Sequence, residues 1–304
     1  MNIDLNKKRK VRVINRHQIS GNSLVRLFVI VVWRSTMSKR LLYLFSAILI
    51  TLLLTGKSFS EVKIAILDSG CNIEYQEGIS FIDENITDLN GHGTSIAKII
   101  KEYNPDAKLY IAKVLNRNGC SLDINQIADG IYWAISRRVD IINISWQGRR
   151  DEKAIHDAIK QAYQNGIIIV AGAGNKNDFI DTLINELNLH YNNLDVTTEI
   201  KYPALYDEVI AIGAIKSFWI FNRHEKYSPV GPKIEYVCDG NYGSMKGTSF
   251  SAARATAIIS KIKADYPDLI GEGFREILKF YAQDIGNKGK DYRFGYGKLG
   301  LVRK

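Results

Sequence analysis

The sequence predicts an α/β fold with three layers, in which a mostly parallel sheet carries helices on both of its faces. Almost uninterrupted apolar runs of strand length recur along the chain, and amphipathic patterns of helical period lie between them. Continuous apolar strands are typical of parallel sheets that are covered on both faces. The strand-length runs lie at residues 62–67, 109–114, 139–144, 167–171 and 209–214.

Three amphipathic patterns predict helices between or after these strands. Apolar residues recur at helical spacing over residues 124–135, directly after Asp123, which we expect to cap the helix N-terminus. A second pattern covers residues 154–162 and ends at Asn165-Gly166, a typical C-terminal signal. A third pattern covers residues 274–281.

The basic charge of the chain is confined to its N-terminal part. The 304 residues include 41 Lys and Arg against 32 Asp and Glu, a formal net charge of +9. Residues 1–60 hold 11 of the former and one of the latter, so residues 61–304 hold 30 and 31, a net charge of −1. Because this part has no basic patch and no nucleic-acid-binding motif, we expect no nucleic-acid partner.

Residues 61–304 are interpreted as one domain, since no internal repeat, low-complexity tract or linker divides them. The stretch 176–202 is polar, rich in Asn and weakly patterned, which favours an inserted surface segment.

Residues 37–60 have the layout of a secretory signal peptide: a short basic region, an apolar run of about fourteen residues and a polar exit. The run is shorter than the roughly twenty residues that a membrane span needs, and an uncleaved anchor is the alternative. Because a basic, irregular stretch precedes it, we predict that Met37 is the true start. Residues 1–36 are then disordered or not part of the native protein, which is secreted or periplasmic.

The three cysteines, Cys71, Cys120 and Cys238, permit at most one internal disulfide, and their disulfide state stays open. Their spacing does not fit a metal site, and we interpret them as small buried hydrophobes. Cys71 lies three residues beyond Asp68, which also makes it a candidate free thiol near the functional site.

Asp68 and His92 are the first two candidate functional residues. Asp68 comes directly after the first apolar strand, at the strand end where parallel sheets carry functional groups. His92 lies in Gly91-His92-Gly93-Thr94 at the start of a helical pattern, where the helix dipole disfavours a charged imidazole and a neutral general base is expected. The structural alternatives are a turn for Asp68 and a packed histidine for His92.

Ser249 and Asn175 are two further candidates. Ser249 precedes a run of small apolar residues at 252–262 that predicts a buried helix, and N–H groups at such a helix start favour an oxyanion. Asn175 follows a Gly-rich strand end, where its amide could donate to a developing oxyanion. An N-cap role for Ser249 and a turn role for Asn175 are the structural alternatives.

In the chain order Asp, His, Asn and Ser, these motifs resemble the subtilisin-like serine peptidases (subtilases), whose triad follows the order Asp-His-Ser. The resemblance runs from about residue 62 to residue 299. It includes Ile144-Ser145-Trp146-Gln147-Gly148, Tyr202-Pro203-Ala204 and Phe294-Gly295-Tyr296-Gly297-Lys298.

The resemblance implies a subtilisin-like fold and a serine endopeptidase that hydrolyses peptide bonds. Ser249 is the implied nucleophile, His92 the base, Asp68 the carboxylate that orients the imidazole, and Asn175 the oxyanion donor. The implied substrate-binding residues are Ser145, Trp146, Gln147, Gly148, Ala171, Gly172, Ala173 and Gly174.

The resemblance also bears on partners and cofactors. We expect a monomer that acts on a protein or peptide substrate of unknown cleavage preference. The resemblance allows calcium, although no acidic loop identifies a site. Many exported family members carry a folded pro-segment, which we expect to be missing because few residues separate the signal region from the first strand.

Two other interpretations compete with that of a peptidase. The first, which is kept as the alternative, is a catalytically silent peptide-binding protein on the same scaffold. A nucleotide-binding α/β protein is disfavoured, because the sequence has no Gly-rich phosphate loop in a strand-to-helix setting.

Overall fold

The computed structural model describes residues 61–121, 123–176, 200–218 and 221–301. These residues belong to one compact unit, Phe59–Lys304. The predicted signal peptide, the residues before it and most of the polar stretch 176–202 lie outside the described residues, so these interpretations stay predictions. In the described ranges, no helix is long and apolar enough to cross a membrane.

Within the described residues, a ten-stranded sheet forms the middle layer. The strands in the described residues are β1 Lys63–Asp68, β2 Glu77–Ser80, β3 Lys108–Lys113, β4 Ile141–Ile144, β5 Ile168–Gly172, β6 Val209–Phe218, β7 Phe221–His224, β8 Ile234–Asp239, β9 Asn241–Tyr242, β10 Met245–Lys246, β11 Ala282–Gln283 and β12 Lys298–Leu299. The sheet has the order β11-β12-β8-β6-β5-β4-β1-β3-β2, with β7 paired to β6 and with β9 and β10 in a separate ribbon. From β12 to β2 every pairing is parallel, whereas β11 and β7 are antiparallel.

Five helices among the described residues cover this sheet: α1 His92–Tyr103, α2 Ile124–Ser136, α3 Lys153–Gln164, α4 Thr248–Asp265 and α5 Gly271–Phe280. Successive side chains of a strand point to opposite faces, so β1 contributes Ile64 and Ile66 to one core and Ala65 and Leu67 to the other. The first core contains residues of α1, α4 and α5, and the second contains residues of α2 and α3. The predicted three-layer α/β fold is confirmed.

The helix-boundary signals act as the sequence predicts. The carboxylate of Asp123 accepts a hydrogen bond from the N–H of Asn125 at 2.9 Å and caps α2. Asn165 ends α3, and Gly166 follows it with φ +78°. Such a left-handed residue after a helix is favourable for glycine because it has no Cβ.

The sequence patterns missed β8, a buried strand of the parallel sheet between β6 and β12. Glu235 interrupts its apolar run, and a buried acid is not expected in a central strand. In the structure Arg275 of α5 donates a hydrogen bond to the Glu235 carboxylate. Burial still raises the pKa of Glu235, against the lowering effect of the Arg275 charge.

Buried polar side chains fix the position of α4, which packs against both the sheet and α1. The Thr256 hydroxyl donates to the Asn143 Oδ1 of β4 at 2.9 Å, and the Ser251 hydroxyl donates to the Cys238 carbonyl of β8 at 3.1 Å. The Asn104 amide donates to Ser260 Oγ at 2.7 Å. All three α4 side chains are fully buried. Because buried polar groups are costly when unpaired, these bonds favour one placement of α4.

Candidate active site

The candidate site lies where the strand order reverses. From β1 the chain proceeds to β2 and β3 on one side of it, and then returns to β4 on the other side. In open parallel sheets, ligands bind at the carboxyl ends of the strands at such a switch point. Asp68 is the last residue of β1, and Ser145 directly follows β4.

Asp68 and His92 form a hydrogen-bonded pair at this edge. His92 Nδ1 lies 2.9 Å from Oδ1 and 3.0 Å from Oδ2 of Asp68, whose side chain is 0% exposed. The Ser69 N–H donates to Asp68 Oδ1 at 2.8 Å. The carboxylate therefore accepts from Nδ1–H, which leaves Nε2 as the basic nitrogen of a neutral imidazole.

Glycines permit the approach of α1 to β1. Gly91 precedes His92 with φ +88°, in the left-handed region. A Cβ on Gly93 would lie 2.3 Å from the Gly70 carbonyl oxygen and 3.1 Å from Asp68 Cβ. A side chain at position 93 would therefore push the helix start away from the carboxylate.

The charge of Asp68 controls the ionisation of His92. It raises the pKa of His92 above its usual range, and burial opposes this effect only in part. The net direction is opposite to the lowering that we expected from the helix N-terminus alone. An imidazolium is thus stabilised next to Asp68, as a base that gains a proton during a reaction requires.

Ser249 is the second residue of α4 and faces the same cleft as His92. Its hydroxyl donates to the backbone carbonyl oxygen of Ser145 at 2.8 Å. Among the described residues, His92 Nε2 makes no hydrogen bond. The structure therefore brings the serine and the imidazole to one cleft without a direct hydrogen bond between them.

The amide of Asn175 has a fixed orientation. Its Oδ1 accepts from the N–H of Thr248 at 3.0 Å and from the Thr248 hydroxyl at 3.4 Å. An oxygen accepts and an NH₂ group donates, so these bonds decide which end of the amide faces the cleft. Nδ2 has no hydrogen-bond partner in the described part of the chain and is available to an acceptor beside Ser249.

The cleft has a volume of about 700 Å³, and Asp68, His92, Asn175 and Ser249 all line it. Of the predicted substrate-binding residues, Ser145 to Gly148 line the cleft, whereas Ala171 to Gly174 are buried behind it. Gly148 pairs with Tyr202 through two backbone hydrogen bonds of 2.8 and 3.0 Å, which form one wall. Trp146 lines the cleft and also packs against the core on the α2 and α3 face.

Two of the three cysteines are buried, as expected for small hydrophobes, and the third is exposed. Cys71 is buried at 3% exposure, and burial raises the pKa of its thiol, so it is not an accessible thiol of the site. Cys238 is buried as well, which agrees with a small hydrophobe. Cys120 is exposed and lines the cleft. All three are free thiols.

Sequence reasoning missed two contributors to the site. Thr248 orients Asn175, and the buried Asp88 binds the backbone of Gly91 next to His92. Two signals were available in the sequence: a Thr directly before the candidate residue Ser249, and an Asp shortly before the helix that begins at His92. In the described ranges there is no group of three or more His, Cys, Asp or Glu side chains that could hold a metal ion, so no calcium site is assigned.

The class of protein that this fold and cleft define is a serine peptidase built on a parallel α/β sheet. Residues 60–297 match the model of the Subtilase family (peptidase S8), and the chain belongs to this family. It is a subtilisin-like serine peptidase, as the sequence predicted.

Several proteins of known sequence are similar to the chain. Subtilisin DY of Bacillus licheniformis is 31% identical over 274 residues, which cover 81% of this chain and 90% of the relative. Minor extracellular protease Epr of Bacillus subtilis (strain 168) is 30% identical over 81% of this chain, which spans only 38% of the length of Epr. The major intracellular serine protease of the same organism is 30% identical, with 69% of this chain and 70% of the relative covered.

Solved structures agree with the fold. Sphericase superposes with a TM-score of 0.65 at 25% identity, over 80% of this chain and 92% of that chain. A lanthipeptide protease superposes with a TM-score of 0.63 at 23% identity, over 78% and 85% of the two chains.

Proposed function

We propose that the chain hydrolyses peptide bonds as an endopeptidase, with Ser249 as nucleophile, His92 as base and Asp68 as orienting carboxylate. The observation that carries the proposal is the buried Asp68–His92 pair at 2.9 Å in the same cleft as Ser249 and Asn175. His92 takes the hydroxyl proton of Ser249 through Nε2 as the serine attacks the carbonyl carbon. It then returns this proton to the leaving amine, while Asp68 stabilises the imidazolium.

The attack requires Ser249 to release the Ser145 carbonyl, to which its hydroxyl is bonded at 2.8 Å. A rotation about χ1 redirects the hydroxyl without moving the helix. Catalytic hydrogen bonds are often long or misaligned in free enzymes and tighten when substrate binds, so this geometry is compatible with the proposed roles.

The tetrahedral intermediate needs donors for its negative oxygen, and two groups beside Ser249 fit this need. The Ser249 N–H lies in the first turn of α4, where N–H groups lack intrahelical partners and the helix dipole favours an anion. The Asn175 Nδ2 is the second donor, since Thr248 binds the oxygen end of that amide. Such preorganised donors are a large part of catalysis in this reaction class.

A catalytically silent peptide-binding protein on the same scaffold is not favoured. Binding alone does not require a buried carboxylate that raises the pKa of a cleft histidine, because burying such a charge is costly.

We propose that Gln147 narrows the subsite for the side chain before the scissile bond. His92 must lie beside the leaving nitrogen, so the acyl side of the substrate extends in the other direction, past Asn175. There Gln147 Oε1 accepts the Asn175 N–H at 2.6 Å, which holds the Gln147 side chain in the cleft.

We further propose that the peptidase is exported, on the strength of the signal-peptide pattern at residues 37–60. One similar protein is named as extracellular and another as intracellular, so similarity alone does not decide the compartment.

An active-site-directed fluorophosphonate is expected to label Ser249 covalently, because the probe reacts with an activated serine. The Ser249→Ala variant should lose both the label and peptide hydrolysis, while Ser244→Ala, which changes an exposed serine between β9 and β10, should keep the label. Mass spectrometry of the labelled peptide is the measurement. Absence of label on the folded wild-type chain would favour the silent peptide-binding alternative.

Asn175→Ala is expected to lower kcat far more than it raises KM, by about 100- to 1,000-fold, as removal of one oxyanion donor does in this reaction class. The exposed Asn118→Ala is a matched control that should leave both constants near wild type. Steady-state kinetics on a peptide substrate test this, and an unchanged kcat would refute the assignment.

Gln147→Ala is expected to shift the cleavage preference toward larger side chains before the scissile bond. One methylene in a pocket is worth about 10-fold or more in selectivity, so the ratio of kcat/KM for large over small residues should rise by at least about 10-fold. Profiling on a peptide library, with the exposed Gln161→Ala as control and Ser249→Ala as blank, gives this ratio. An unchanged profile would contradict the subsite.

The exported native protein is expected to begin at Glu61, because Ser58 and Ser60 occupy positions −3 and −1 of the cleavage site. Mass spectrometry of the secreted or periplasmic fraction tests this. A native peptide from residues 13–35 would contradict the start at Met37, and retention of residues 41–54 in the membrane fraction would support an uncleaved anchor.

A further inference from the structure

Asp88 is a second buried carboxylate beside the Asp68–His92 pair, in the segment between β2 and α1. Asp88 is only 4% exposed, and it does not line the cleft. Burial opposes its ionisation, but hydrogen bonds from Thr94, Gly91 and Ser69 outweigh this effect, so the pKa of Asp88 lies below its usual range. Among the described residues, its hydrogen-bond partners are uncharged N–H and O–H groups, which solvate this anion.

The carboxylate of Asp88 binds the backbone on both sides of His92. Gly91, which precedes α1, has no side chain that could cap the helix. Asp88 Oδ2 accepts from the N–H and the hydroxyl of Thr94 at 2.8 and 2.7 Å, and Oδ1 accepts from the N–H groups of Asn90 and Gly91 at 3.0 and 2.8 Å. The carboxylate thus caps the first turn of α1 and binds the chain on both sides of His92.

The carboxylate of Asp88 is also linked to that of Asp68, through the hydroxyl of Ser69. The Ser69 hydroxyl oxygen lies 2.9 Å from Asp88 Oδ1 and 3.2 Å from Asp68 Oδ1, and it accepts the Gly93 N–H at 3.1 Å. One hydroxyl therefore lies between the two carboxylates and is itself bound to the residue after His92. This short network joins the end of β1 to the start of α1.

We infer that Asp88 is a positioning residue for catalysis. It holds the imidazole of His92 within hydrogen-bonding distance of Asp68, so that Nε2 is oriented to take the proton of Ser249. The inference rests on the proposed function of His92 and Asp68. The charge of Asp88 has an additional effect, since it contributes to the raised pKa of His92. A cap that only stabilised α1 would affect folding but not the ionisation of the base.

The test compares Asp88→Asn with the exposed Asp129→Asn, which makes the same change in net charge on α2 outside the cleft. Asp88→Asn is expected to lower kcat by about 10- to 100-fold at a nearly unchanged KM, because small misplacements of catalytic groups cost this much. The base acts in its neutral form, so a lower pKa of His92 should also move the acid limb of the kcat/KM profile to lower pH. Asp129→Asn should change neither.

The second readout is the ionisation of His92 in the Ser249→Ala background, which prevents self-digestion. The imidazole resonances of His92, followed by NMR over pH, should titrate at lower pH when Asp88→Asn is added. Wild-type kinetics and an unmoved titration in a folded Asp88→Asn protein overturn the inference.

Thr94→Val covers the case in which Asp88→Asn does not fold. It removes the hydroxyl donor to Asp88 Oδ2 and keeps the charge, so a several-fold lower kcat at unchanged KM supports the inference and a wild-type kcat overturns it. Failure of the proposed function itself is distinguishable, because the folded wild-type chain would then show no fluorophosphonate label on Ser249.

Discussion

The pairing of a fully buried carboxylate with a histidine is the constraint on which the rest of the site depends. A charge such as that of Asp68 is stable in the interior only if hydrogen-bond donors replace its lost hydration. The Ser69 N–H and the His92 imidazole supply these partners. Because β1 lies inside the sheet, between β4 and β3, the position of the carboxylate is fixed. The helix α1 must therefore begin within hydrogen-bonding distance of it.

Ser249 and Asn175 are linked by Thr248, which directly precedes Ser249. Thr248 binds Asn175 Oδ1 through its N–H, and its hydroxyl accepts the Gly174 N–H at 3.1 Å. A Cβ on Gly172 would lie 3.0 Å from the Thr248 carbonyl, so the glycine at the end of β5 allows α4 to come this close. The serine and the amide are therefore positioned relative to each other and not only relative to the sheet.

Much of the fold could be predicted because the sheet is parallel and buried, so that apolar runs mark its central strands. β8 was missed because Glu235 is compensated by Arg275, a partner 40 residues away that no local pattern indicates. The candidate residues Asp68, His92, Asn175 and Ser249 stood out through their glycine-rich motifs. Asp88 did not, since its role depends on hydrogen bonds that form only when β1 and α1 meet.

The buried hydroxyls along α4 have a consequence for the chemistry at its beginning. A helix that slipped by one residue would advance about 1.5 Å and turn by about 100°, which would carry Ser251, Thr256 and Ser260 away from their partners at once. An all-apolar helix of small residues would resist such a slip far less, because hydrophobic contact is not directional. The hydrogen bonds of Ser251, Thr256 and Ser260 therefore fix the position of Ser249, although none of these three residues lines the cleft.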